Sequence, residues 1–154
     1  MTAADRAELA VDLFEQGYNC AQSVVGAWLD QTEMESDQAM RLASSFGGGM
    51  GRLREVCGAL TGSFMVAGLL HGYAKSGDDE EKGKHYALIQ QIAGDFEYKY
   101  KTILCRDLLE LDIKHDSPNP SARTAEYYAE RPCARFIYDA VILLDQALTL
   151  TSDI

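Results

Sequence analysis

Cys20, Cys57, Cys105 and Cys133 are the residues of this 154-residue chain best equipped for chemistry. As thiolates they are nucleophiles, metal ligands and partners in reversible disulfides. No two have the Cys-x-x-Cys spacing of a zinc ribbon or a thioredoxin-like site, so spacing alone groups none of them. Their contexts agree better. YNCAQ, EVCGALTG, ILCRDLL and RPCARF each put the sulfur where a helix is expected to begin. A helix start offers unpaired N–H groups and the positive end of the dipole, and both favour a thiolate. Any one of these cysteines, taken alone, also reads as a small buried hydrophobe. Four placed alike point to one shared site.

The stretch GGGMGRLREVCGALTG, Gly47 to Gly62, gathers six of the 13 glycines beside Cys57. Glycine reaches left-handed conformations that turn successive N–H groups inward as an anion nest, and it lets the main chain approach a sulfur closely. On that reading Gly47, Gly48, Gly49, Gly51 and Gly58 surround a cofactor held by the cysteines, with Phe46 and Met50 excluding water. A packing explanation competes. Gly58, Gly62, Gly68 and Gly72 span about 120° of one helix at 100° per residue, and close helix contact is the better account of the last three. A phosphate loop is disfavoured, because GGGMGR lacks the GxxxxGK[ST] pattern and follows a helix rather than a strand.

Helices must carry all of these positions. Residues 3–16 set Leu9, Ala10, Leu13 and Phe14 on one face, with Gly17 as a stop. Asn19 caps a second helix, CAQSVVGAWLDQ, whose Val24, Val25, Trp28 and Leu29 face inward. Ser36 or Asp37 opens a third, which runs into the glycines, and an uncharged fourth starts at Cys57. GDDEEKGKHYALIQQIAGDFEYKYK begins with acids and closes with lysines, as the dipole prefers. A short turn at CRDLLEL and the irregular DIKHDSPNPSAR precede a last helix with Pro132 at its first position and a broad apolar face from Phe136 to Leu148. Alternating strand patterns are absent. The expected fold is all-α, one helical bundle of about six helices across residues 1–154.

Composition narrows the partners. With 24 acidic against 14 basic residues the formal charge is −10, which argues against nucleic acid and anionic lipid surfaces. Val56 to Ala74 carries no formal charge over nineteen residues, close to a membrane span in length. Its glycines, Ser63, Thr61 and His71, together with the missing aromatic belts, favour a helix buried by its neighbours. The N-terminal sequence lacks a signal-peptide pattern, so a cytoplasmic location is expected. In that reducing compartment cysteines indicate metal or redox chemistry rather than a disulfide scaffold. His71 reads as a core or helix-end residue and His85 and His115 as solvated; Arg52 and Arg54 suit holding an anion or steering a partner, but beside Glu55 a surface ion pair is the better reading. The run Asp78 to Glu81 reads as a solvated helix start.

YNCAQ, GGGMGR, CGALTG, the cysteine of ILCRDLL and that of RPCARFIYDAVILL together resemble the C-GCAxxG-C-C family, small bacterial and archaeal proteins named for their shared cysteines and regarded as redox-active. The resemblance runs from about residue 9 to 148; where the family label writes Gly-Cys-Ala, this chain has Cys57-Gly58-Ala59. It implies a helical domain whose redox site falls on Cys20, Cys57, Cys105 and Cys133. Related domains fused to haem-binding segments associate these cysteines with an iron–sulfur centre. Three chemistries follow as expectations: an iron–sulfur centre, binuclear ([2Fe-2S]) given four ligands, in electron transfer or sensing; a metal-free thiol–disulfide protein; or a helical domain with structural zinc. A redox partner protein and a homodimer through apolar helix surfaces are the partners expected.

Overall fold

A computed structural model describes residues 1–152, and side chains for residues 1–149; the expected domain also covers 153 and 154, which lie outside the described residues. The described chain is all-α, 67% helical and without a sheet. The six expected helices are α1 (Ala3–Glu15), α2 (Cys20–Gly26), α4 (Ser36–Ser44), α6 (Gly58–His71), α7 (Asp79–Tyr100) and α10 (Cys133–Ser152). Short segments join them: α3 (Leu29–Thr32), α5 (Gly47–Met50), α8 (Cys105–Leu108) and α9 (Ala125–Glu130).

Local signals set most boundaries. Thr2 and Asn19 each close a capping box, and Gly17 ends α1 at φ +108. Asp78 caps α7, whose first turn carries Asp79, Glu80 and Glu81. Three boundaries depart from expectation. The second helix breaks after Gly26, where the buried Arg6 takes the Ala27 carbonyl at 2.6 Å and forks onto Asp30, stacking 4.3 Å from the Trp28 ring. A carbonyl held that way by a guanidinium leaves the helix ladder. Glu35, rather than Ser36 or Asp37, caps α4. Pro132 precedes α10 instead of opening it, its carbonyl accepting from Arg135 and Phe136.

Around α6 pack α2, α7 and α10, and α1 closes on α10 and α2. Leu60, Val66, Phe96, Ile137, Val141 and Leu144 are fully buried between them. At fourteen residues α6 is shorter than a bilayer requires, and among the described residues no helix is long and apolar enough to cross one. The glycine stripe divides. A Cβ on Gly62 would meet the Ala21 carbonyl at 2.9 Å, so α6 and α2 touch there. Gly68 meets only the His85 ring at 3.9 Å, and Gly72 caps the helix, so neither belongs to the interface expected of them.

Candidate functional site

The four cysteines come from four different segments, and each stands at a helix start: Cys20, Cys105 and Cys133 are the first residues of α2, α8 and α10, and Cys57 caps α6. All four line one cavity of about 320 Å³. Cys57, Cys105 and Cys133 are buried and Cys20 is half-buried, all as free thiols.

Backbone pairing ties them together. An isolated antiparallel bridge joins Val56 to Leu104, one residue before Cys57 and Cys105 respectively. On its two sides the Cys57 amide donates to the Ile103 carbonyl at 2.8 Å and the Cys105 amide to the Glu55 carbonyl at 2.6 Å. Gly58 carries the linkage to Cys20, since a Cβ on it would lie 3.0 Å from the Cys20 Cβ. The Asn19 cap fills the space beside Gly47 and donates to the Ser44 carbonyl at 3.0 Å. Cys20 and Cys133 complete the ring and act directly on each other.

Between α4 and Cys57 the chain makes an unusual left-handed turn. Gly48, Gly49, Met50, Gly51 and Arg52 run consecutively at φ between +60 and +70, and Arg54 follows at +58. Met50, Arg52 and Arg54 carry a side chain in a region that costs an L-residue about 1–2 kcal/mol each. Gly47, Gly48, Gly49, Gly51 and Gly58 all line the cavity, as expected. Of the five, Gly51 gives its amide to the loop's own hydrogen bonds. The amides of Met50, Gly51, Arg52, Arg54 and Glu55 bond back to the carbonyls of Phe46, Gly47, Gly48 and Gly49. The loop therefore supplies a wall without side chains: at Gly49 a Cβ would sit 2.7 Å from the Cys105 Cβ. Phe46 packs against the core rather than the cavity, and the aromatic lining comes from Tyr127 and Phe136. Met50 is likewise outside the lining.

The arginines are the main feature missed from the sequence. Arg54 is buried, its side chain 4% exposed. It donates to the Cys105 sulfur at 3.4 Å and to Asp116 at 3.0 Å, while Arg52 takes the same Asp116 oxygen at 3.0 Å. Glu55, their expected partner, pairs with Arg106 instead. Arg52, Arg54, Arg123 and Arg131 line the cavity, whereas no Asp or Glu does. The −10 total concealed this local reversal of sign, because Asp116 reaches the loop from sixty residues away in sequence. Arg123 stood in the irregular DIKHDSPNPSAR stretch and Arg131 in RPCARF, a segment read for its cysteine.

Electrostatics then separates the four thiols. Burial pushes Cys57 up to about 12, although the Ala59 and Leu60 amides face its sulfur without closing a cap hydrogen bond. Burial also raises Cys105, against the pull of Arg54. Cys20 rises because it donates its proton to Cys133 and is buried. Cys133 is lowered, first by that hydrogen bond and then by Arg131, Arg123 and Arg54. Each ionised sulfur disfavours charge on its neighbours, so the four behave as one electrostatic unit.

Among the described residues, no three His, Cys, Asp or Glu side chains stand as a group fit to hold a metal ion directly. All four thiols nevertheless line the same cavity. That donor set is still all sulfur, surrounds a cavity and has basic walls, which is chemistry suited to an anionic iron–sulfur core. Of the histidines, His115 is exposed, and His85 is half-buried rather than solvated, its Nδ1 without a partner and its pKa lowered by burial and by His71.

A family model described as "Putative redox-active protein (C_GCAxxG_C_C)" matches residues 18–147. The chain belongs to this family. All four cysteines of this C-GCAxxG-C-C protein fall within the matched span. No curated protein and no solved structure matches it.

Proposed function

We propose that this C-GCAxxG-C-C protein is an electron-transfer or redox-sensing protein whose four cysteines hold one iron–sulfur centre of the [2Fe-2S] type. The observation carrying this reading is the convergence of Cys20, Cys57, Cys105 and Cys133 on one cavity from four separate segments. A lone tetrahedral zinc at about 2.3 Å from each sulfur needs those sulfurs about 3.8 Å apart. No three of the described His, Cys, Asp or Glu side chains form so close a group, which supports a larger core among the thiols. When bound, such a centre supplies an electron couple whose potential depends on its charge, the hydrogen bonds to its sulfurs and its exposure to water.

The chain's own residues have defined parts in this. The Val56–Leu104 bridge fixes the Cys57 and Cys105 backbones side by side. Arg54 donates to the Cys105 sulfur and offsets its charge. Arg123 and Arg131 lower Cys133 further, easing the loss of the proton that ligation requires. Glycine at 49 and 58 leaves the space a side chain would fill.

One observation favours a second reading. Cys20 and Cys133 act directly on each other, Cys133 lowered and Cys20 raised, which is the polarity of a nucleophile and its resolving thiol in a metal-free dithiol protein. Anaerobic purification with visible absorption and iron, sulfide and zinc analysis separates the readings. Matching iron and sulfide with thiolate-to-iron absorption supports the centre. Colourless, metal-free protein that forms a reversible Cys20–Cys133 disulfide supports the dithiol.

A further inference from the structure

The four arginines of the cavity exceed what the protein's own carboxylates neutralise. Asp116 serves both Arg52 and Arg54, and no acidic side chain pairs with Arg123 or Arg131 among the described residues. Arg123 is fixed with its guanidinium stacked 4.5 Å over Phe14 and its N–H groups on the carbonyls of Phe14 and Tyr18. Arg131 lies 5.4 Å over the Tyr127 ring. Arg54 is buried, and its Nε is there without a hydrogen-bond partner. A buried guanidinium N–H left without an acceptor is unfavourable. Three positive charges left after Asp116 also outweigh the formal charge of about −2 on an oxidised binuclear core with four thiolates.

We propose that this cavity binds a small dianionic oxyanion beside the cysteines, held by Arg54, Arg123 and Arg131. Planar guanidinium groups suit the paired oxygens of such an ion. Pro118, Pro120 and Ser121 form part of the same wall, on the segment that Asp116 anchors to Arg52 and Arg54. Whatever binds there shares its cavity with the sulfurs. The proposal deepens the redox reading and rests on it only for the role of the anion; the binding itself needs the arginines alone.

Inorganic phosphate is the probe. Titration calorimetry of the anaerobically purified protein in chloride-free buffer is expected to show one saturable site per chain. Arg131→Gln, which removes a side chain that makes no hydrogen bond to the protein among the described residues, should weaken phosphate by about tenfold or more, the loss of one charge-assisted contact. Arg131→Lys should recover part of it. Iron content, measured on the same samples, tells the two ideas apart. Weaker phosphate binding by Arg131→Gln than by wild type, compared at matched iron content, supports the anion site. Equal binding by wild type and Arg131→Gln, or no saturable binding to iron-loaded wild type, overturns the anion site and leaves the iron–sulfur reading standing. Phosphate binding by a protein that takes up no iron overturns the iron–sulfur reading alone.

Discussion

Replacing Gly49 by alanine tests whether the left-handed turn sets the cavity wall. Gly49 has φ +69, and an added Cβ would lie 2.7 Å from the Cys105 Cβ, 2.7 Å from the Glu55 amide nitrogen and 2.8 Å from the Arg54 Cα. Two of these three are backbone atoms, so no flexible side-chain tip can swing away. Left-handed backbone costs alanine about 1–2 kcal/mol, and forcing atoms into packed surroundings adds about 1–3 kcal/mol. Gly51→Ala is the internal control: it shares the conformation, at φ +60, but its Cβ meets only the Ser45 carbonyl at 3.9 Å. Both variants lose the left-handed term; Gly49→Ala loses about 1–3 kcal/mol more. With about 2–4 °C per kcal/mol for a chain this size, the extra fall in Tm is about 2–12 °C. Urea unfolding measures the difference directly. The overlaps touch the Glu55 amide and Cys105, so Gly49→Ala should also retain less iron than Gly51→Ala. Equal stability of the two variants would refute the account of the wall.

Other outcomes follow from the same geometry. Asp116→Asn removes the carboxylate shared by Arg52 and Arg54; the loss at neutral pH should be about 1 kcal/mol, reduced because Asp116 faces water on one side. Arg54, foremost, holds the Asp116 carboxyl below its usual 3.8, so its contribution is complete above that value and fades as pH falls through the lowered one. Acid titration of stability should accordingly be flatter below about pH 4 in the variant. In reduced, metal-free protein at pH 8, iodoacetamide should label Cys133 at least about tenfold faster than Cys57, read by peptide mass spectrometry, because one thiol is lowered and the other pushed up to about 12. Asn19→Ala should cost about 1 kcal/mol in urea unfolding through the lost α2 cap.

Where a single residue decides local structure, the sequence was readable. Asn19, Gly17 and the acids at the start of α7 mark their boundaries by capping and dipole chemistry that needs no distant partner. Helix starts at all four cysteines followed from the same signals. Distant partners defeated the reading. The break in the second helix depends on Arg6, which reaches Ala27 and Asp30 across the packed α1–α2 interface. Arg54 looked like a surface neighbour of Glu55 because its true partners, Cys105 and Asp116, lie more than fifty residues on. The five glycines line the cavity, yet the amides that bond back within the loop are those of Met50, Gly51, Arg52, Arg54 and Glu55. Only the path of the left-handed turn reveals that, since Met50, Arg52 and Arg54 give no sequence sign of positive φ.

The central claim is that four cysteines serve one centre. The most direct measurement is iron and sulfide per chain in anaerobically prepared wild type and in Cys20→Ser, Cys57→Ser, Cys105→Ser and Cys133→Ser. The account predicts about two irons and two sulfides in wild type, and a marked loss in every one of the four variants. Full iron retained in any variant, or wild type that binds none, would contradict it.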